Sequence, residues 1–188
     1  MNVWSATLEP RIMIQRLPIV GVMGSGVDPW ADRAEPLGRW LAGQGVHLLT
    51  GGGSGVMAAV SRAFVGVAGR YGLSIGILPS ADHPGAPREG YPDASIEVPI
   101  RTHLPRTGDQ GEDPMSRNHI NILSATVIVA LPGGPGTASE VWLAVGYGRP
   151  IVGYLCDRAE IPDLPDEVPV SGTLSGVQAF VASALRIA

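Results

Sequence analysis

The 26 glycines of this chain are unevenly placed, and three clusters fall where a short apolar run gives way to a segment of helical period. They are Gly21-Val-Met-Gly24-Ser25-Gly26, Gly51-Gly52-Gly53-Ser54-Gly55 and Gly133-Gly134-Pro135-Gly136. An apolar run, a glycine turn and a helix, repeated, is the pattern of β-α units around a parallel sheet. In such a sheet the carboxyl ends of the strands form the ligand crevice. Glycine there lets backbone N–H groups approach an anion at the next helix N-terminus. Three such loops on one edge predict a phosphorylated ligand, although each loop alone also reads as a tight strand-to-helix turn.

Apolar runs over residues 17–23, 46–50, 73–78, 96–100, 126–131 and 151–155 predict six strands. Leu37, Trp40 and Leu41, and again Val56, Val60, Phe64 and Val67, recur at helical spacing and read as core faces. A closing helix is expected over 174–186, with Val177, Phe180, Val181 and Leu185 on one side. The expected fold is therefore α/β: an open, mainly parallel sheet with helices on both faces. A length of 188 residues suits one domain, here 1–188 with residues 1–16 as an N-terminal extension. Two long segments rich in Pro and Gly, 79–93 and 101–114, break the rhythm as functional lids or mobile loops. A third, 157–169, reads as a surface connection.

All 13 basic residues are Arg, and the chain has no Lys. That excludes lysine Schiff-base chemistry and the Walker lysine of a P-loop. It leaves backbone amides, helix N-termini and Arg forks to hold anions. With 17 acidic residues the net charge is -4, and no like-charge run offers a basic field, so nucleic acid is not an expected partner. No stretch approaches 18 apolar residues, and Glu9, Arg11 and Arg16 interrupt the N-terminus, so neither a membrane span nor a signal peptide is expected. The chain reads as soluble and cytoplasmic. Cys156 is the single cysteine and follows an apolar run, so it is expected to be a buried strand-end residue. The four histidines, His47, His83, His103 and His119, lack metal-ligand spacing, and no metal site is expected.

A dinucleotide cofactor is disfavoured. Pro29 stands where Gly24-Ser25-Gly26-Val-Asp-Pro29 would need Gly or Ala, and although Gly53-Ser54-Gly55-Val-Met-Ala58 fits, no acidic residue closes the following strand to hold a ribose. The third loop carries more. A helix is expected to start at Thr137, turning its hydroxyl and the preceding amides toward the crevice. Glu140 beside a phosphate cradle would repel the anion, so it suits a sugar hydroxyl or a developing positive charge. Thr137-x-x-Glu140 equally fits a capping box, in which Glu140 bonds back to the Thr137 amide. Arg117 opens an amphipathic segment, 117–124, that leads into the strand before this loop, and from there it can cross the crevice mouth. An Arg early in a helix opposes the macrodipole. The alternative is a solvated surface Arg.

The nonapeptide Pro132-Gly-Gly-Pro-Gly-Thr-Ala-Ser-Glu140 resembles the P-G-G-x-G-T-x-x-E signature of the Lonely Guy-type proteins, long mislabelled lysine decarboxylases, and of the related molybdenum-cofactor carriers. The loop Gly51-Gly-Gly-Ser-Gly55-Val-Met57 resembles their first glycine motif, and the spacing from Arg117 to Pro132 is similar too. The resemblance covers roughly residues 18–155 and implies a Rossmann-like, usually dimeric or higher homo-oligomeric protein. Its implied ligand is a nucleotide such as AMP, or molybdopterin, with no cofactor required for activity. Enzymatic members hydrolyse the N-glycosidic bond of nucleoside 5'-monophosphates, and the matching pair here is Arg117 and Glu140. In that reading Glu140 would stabilise an oxocarbenium-like sugar or supply it with water, and Arg117 would assist the leaving base. Gly24, Ser25, Gly52, Gly53, Ser54, Asn118, Gly133, Gly134, Gly136 and Thr137 would hold the phosphate and the rest of the ligand.

One departure bears on activity. Enzymatic members carry His-Glu-Arg-Lys where this chain has Met115-Ser116-Arg117-Asn118, and only the Arg survives. Arg followed by Asn is similar to the carrier branch, whose described role is binding. Two expectations follow: a phosphoribohydrolase, or a non-catalytic carrier or sensor of a pterin or nucleotide. A PLP-type lysine decarboxylase is excluded by the missing lysine.

Overall fold

Seven runs pair into a single all-parallel sheet in the order β4-β3-β2-β1-β5-β6-β7. The strands are β1 (Ile19–Met23), β2 (His47–Thr50), β3 (Ser74–Leu78), β4 (Val98–Arg101), β5 (Val127–Ala130), β6 (Ile151–Tyr154) and β7 (Val170–Ser171). Five helices connect or follow them: α1 (Ala31–Ala42), α2 (Val56–Val65), α3 (Asn118–Ser124), α4 (Pro135–Gly146) and α5 (Leu174–Ile187). The computed structural model describes residues 16–81, 86 and 88–187. The expected N-terminal extension, apart from Arg16, lies outside these residues, as do His83 and part of the 79–93 loop. Among the described residues no helix is long and apolar enough to cross a membrane.

Alternation along the central strands sorts the core into two layers. Val20, Val22, Val127 and Val129 point to one face, where they meet Leu37 and Leu41 of α1, Val60 and Phe64 of α2, and Val177 and Val181 of α5. Met23, Ile128 and Ala130 point to the other, against Ile122 of α3 and Val141 and Ala144 of α4. Strands covered on both faces need continuous apolar sequence, which is why these runs were legible without a strict alternation of polar residues. The fold is thus α/β and Rossmann-like, with helices on both faces.

The strand order fixes where a ligand can bind. From β1 the chain steps outward through β2, β3 and β4, then returns to place β5 on the opposite side of β1. The carboxyl ends of β1 and β5 therefore flank the topological switch point, where the loops diverge and leave a crevice.

Three expectations need correction. A seventh strand exists: Val170 and Ser171 follow the 157–169 connection and pair with Gly153 and Tyr154. Helix α4 starts at Pro135, two residues before Thr137, because Pro pre-sets the first helical φ and has no amide to leave unpaired. Cys156 is exposed, not buried. Leu155 is the last residue of this apolar run to enter the core, and the chain then turns so that the Cys156 amide donates to Glu160 Oε2 at 2.9 Å.

Candidate ligand-binding site

A cleft of about 590 Å³ opens at the switch point. Its floor comes from the loop after β1, from Gly24 to Asp28, and from the first turn of α4, Gly134 to Thr137 with Glu140. Arg117 and Asn118 enter from the start of α3, Met57 from α2, and Tyr91, Thr107 and Gly108 from the two long loops. The two floor loops are tied together, since the Ser25 amide donates to the Pro132 carbonyl at 3.0 Å. Ser25 Oγ in turn accepts from the amides of Val27 and Asp28, at 3.1 and 2.9 Å, which fixes the turn. In the first turn of α4 the Thr137 amide bonds the Gly134 carbonyl at 3.0 Å. Among the described residues the amides of Gly134 and Gly136 donate to no protein acceptor, so the positive end of α4 faces the cleft.

A buried polar network joins this floor to the start of α3. Arg117 and Glu140 are 5% and 8% exposed. Arg117 Nη1 donates to Asn118 Oδ1 at 2.8 Å and stands 3.5 Å from Glu140 Oε1. Asn121, one turn further along α3, donates through Nδ2 to the same Glu140 oxygen at 3.3 Å. Asn118 Nδ2 donates to Ser139 Oγ at 3.3 Å, and that hydroxyl donates to the Gly136 carbonyl at 2.8 Å. The chain of bonds links the start of α3 to the first turn of α4. Two buried atoms, Arg117 Nε and Asn121 Oδ1, have no partner among the described residues.

This geometry decides between the two readings of each residue. Glu140 does not close a capping box on Thr137, because Thr137 lies inside α4 and the carboxylate turns toward Arg117 and Asn121. Arg117 is not a solvated surface residue. Burial pushes the Glu140 carboxyl above the ordinary carboxylate range, and the Arg117 charge and the Asn121 hydrogen bond offset that only in part.

The second glycine loop does something other than cradle a ligand directly. A Cβ on Gly51 would overlap the Arg117 guanidinium, and one on Gly53 would come within 2.8 Å of the Tyr91 ring. Gly52, at φ +75°, packs against Leu78. These glycines make room for the side chains that build the cleft wall. Of the expected ligand-binding residues, Gly24, Ser25, Arg117, Asn118, Gly134, Gly136, Thr137 and Glu140 line the cleft, whereas Gly52, Gly53, Ser54 and Gly133 do not. Ser54 Oγ braces the first loop by donating to the Gly26 carbonyl at 2.5 Å. The Gly133 amide is engaged by the Glu160 carbonyl at 3.1 Å.

Residues the sequence reading passed over are Met57, Tyr91, Thr107, Gly108 and Asn121. Asn121 carried a usable signal, four residues after Arg117 and so on the same face of α3. Tyr91 and Thr107 carried none beyond lying in long loops at the carboxyl edge of the sheet. Among the described residues no group of three or more His, Cys, Asp or Glu is placed to hold a metal ion.

Several solved structures are similar to this chain. The molybdenum cofactor binding protein from the phototrophic bacterium Rippkaea orientalis shares 30% identity, with 90% of this chain and 98% of that one covered at a TM-score of 0.72. The Moco carrier protein from Chlamydomonas reinhardtii shares 31%, over 92% and 100% of the two chains, at 0.70. DNA processing protein A from Helicobacter pylori, at 18% identity over 90% and 80% and a TM-score of 0.59, shares the fold alone. No curated protein matches the chain. The model of the SLOG cluster4 family matches residues 17–178, from the edge of β1 into the first turns of α5. The chain belongs to the SLOG cluster4 family.

Proposed function

We propose that this protein is a carrier that holds a phosphate-bearing pterin, the molybdenum cofactor or a close relative, in the switch-point cleft. The amides of Gly134 and Gly136 at the α4 N-terminus receive the phosphate, with the Thr137 hydroxyl beside them. The observation that carries the reading is the engagement of Arg117 and Glu140. Glu140 Oε1 is shared between Arg117 Nη1 and Asn121 Nδ2, and Asn118 ties Arg117 to Ser139 on α4. Such a network rigidifies a binding wall, whereas attack on a sugar needs a carboxylate free to face the anomeric carbon. The similarity to proteins described as molybdenum cofactor binding and as Moco carriers supports the same choice.

The test is retention. Cofactor released from a molybdoenzyme should co-elute with the protein in gel filtration, with molybdenum and pterin fluorescence near one per chain, and should reactivate a cofactor-free nitrate reductase. Thr137→Glu, which sets a negative charge at the phosphate position, should abolish retention. Absence of molybdenum and pterin from the wild-type peak overturns the reading.

A second reading, hydrolysis of a nucleoside 5'-monophosphate, is favoured by one observation. Arg117 and Glu140 line the same cleft as the α4 N-terminus, and a carboxyl held above its usual range can protonate a leaving base. Release of ribose 5-phosphate from AMP or a cytokinin monophosphate by the wild type, but not by Glu140→Gln, would establish it. Equal rates from both proteins would exclude it.

A further inference from the structure

The lining of the cleft is chemically mixed. The α4 N-terminus is polar and electropositive, whereas Tyr91 and Met57 offer apolar surface, and Tyr91 is the one aromatic side chain lining the cleft among the described residues. We propose that Tyr91 forms a ring-binding subsite that selects ligands carrying a planar heteroaromatic ring, purine or pterin, in addition to the phosphate. The proposal rests on the reading of the cleft as a phosphate-ligand site and adds the determinant of what the phosphate must be attached to.

The position of Tyr91 is built, not incidental. The ring edge carrying Cε1, Cζ and the hydroxyl lies 2.8 Å from where a Gly53 Cβ would stand, so the ring can occupy this wall only because residue 53 is glycine. Three hydrogen bonds hold its loop, one of them to the turn after β2. The Asp93 amide donates to the Gly52 carbonyl at 2.8 Å, and the Tyr91 amide to the Arg88 carbonyl at 3.1 Å. Arg88 Nη1 donates to Thr107 Oγ1 at 2.8 Å, which couples the two long loops. A pinned aromatic ring offers stacking area at little cost in conformational entropy.

The spacing also suits one ligand. Arg117 lies over Gly51 and Tyr91 over Gly53, two residues along the same bent loop and so at most roughly 7 Å apart at the backbone. One ligand can therefore meet Tyr91 and the Arg117 and Glu140 pair within the same cleft. Met57 adds an adaptable apolar surface to the same lining, with its methyl 3.8 Å from the Gly26 Cβ position.

The experiment compares three phosphates by calorimetry on the full chain: ribose 5-phosphate, AMP and neopterin 3'-phosphate. Wild type should bind at least one ring-bearing ligand about tenfold or more tightly than ribose 5-phosphate, the scale of stacking on an aromatic side chain. Which of the two wins distinguishes purine from pterin. Tyr91→Ala should bring that ligand down to the ribose 5-phosphate level while leaving ribose 5-phosphate itself unchanged, and Tyr91→Phe should keep the preference. Two results would overturn the proposal while leaving the phosphate site standing: ring-bearing ligands no tighter than ribose 5-phosphate in the wild type, or a Tyr91→Ala loss that falls equally on all three. Binding of none of the three by the wild type would overturn the phosphate reading and the ring subsite together.

Discussion

Arg117 Nη1 and Glu140 Oε1 lie 3.5 Å apart in the wall of the cleft, with both side chains almost wholly withdrawn from water. Removing one partner strands the other charge in a medium that solvates it poorly, and the cost of breaking such a pair is about 3 kcal/mol or more. Arg117→Met should therefore lower the urea-derived stability by about 3 kcal/mol at pH 7.5, and adding Glu140→Gln should recover most of the loss. Additive losses in the double variant would mean that the two side chains do not depend on each other.

Glu140 gives a pH signature of its own. Its folded-state pKa is raised above the unfolded value, chiefly by desolvation, so the protonated form is the one folding favours. The stability this contributes is complete below the ordinary carboxylate value and drains away as pH rises through the folded-state value. Glutamine stays neutral throughout. Whatever stranding Arg117 costs, the difference in melting temperature between Glu140→Gln and the wild type should move in the variant's favour as the pH is raised from 4 to 8. A difference that moves the other way would reverse the assignment.

Glu160 predicts the opposite slope. Arg33 meets it through both oxygens, Nη1 to Oε2 at 2.7 Å and Nη2 to Oε1 at 2.9 Å. The hydrogen bonds from Arg33 hold the Glu160 carboxyl below its usual range, aided by the Cys156 amide. A depressed pKa contributes stability above the unfolded value and loses it as pH falls through the folded one. Glu160→Gln should cost about 2 kcal/mol at pH 7, shrinking as the pH drops below about 4. Since the Glu160 carbonyl also receives the Gly133 amide, the same variant tests how firmly this loop holds the cleft floor.

The homodimer implied by the resemblance needs an apolar face. Helices α3 and α4 pack side by side and leave Leu123, Trp142 and Tyr147 at 47%, 44% and 43% exposure. Light scattering behind gel filtration should give twice the chain mass for the wild type. Trp142→Asp, with an unchanged circular dichroism spectrum, should give the chain mass alone. A monomeric wild type would remove this face as an interface.

How much of this was legible beforehand follows from what each residue depends on. The central strands could be read because a strand buried on both faces must be apolar along its length, whereas the edge strand β4 was legible only from its Val and Ile content. The two residues of β7 follow Pro169 without an apolar run and are strand only because β6 offers an edge. Arg117 and Glu140 were legible because their spacing sits in a recognisable motif, but the partners that decide their chemistry, Asn121 and Ser139, arise from α3 lying against α4. Gly51 and Gly53 looked like a phosphate loop because glycine marks close approach without saying what approaches. Here it is Arg117 and Tyr91. Cys156 looked buried because an apolar run does not announce where its strand ends.

The glycines in and around the floor should separate by substitution into those that shape the fold and those that leave room for a ligand. Gly55 caps α2 at φ 64° and ψ -131°, a region closed to other residues, and a Cβ there would strike the Ser25 carbonyl. Gly55→Ala should cost about 2 kcal/mol of stability and weaken binding only through that loss. Gly134 sits at φ -90° with nothing within 4 Å of its Cβ position. Gly134→Ala should leave stability within about 0.5 kcal/mol of the wild type. Its methyl would instead stand where a phosphate oxygen approaches the α4 amides, and ribose 5-phosphate affinity should fall about tenfold. Unchanged affinity in a stable Gly134→Ala protein would move the phosphate away from α4 and with it the orientation of the ligand in the cleft.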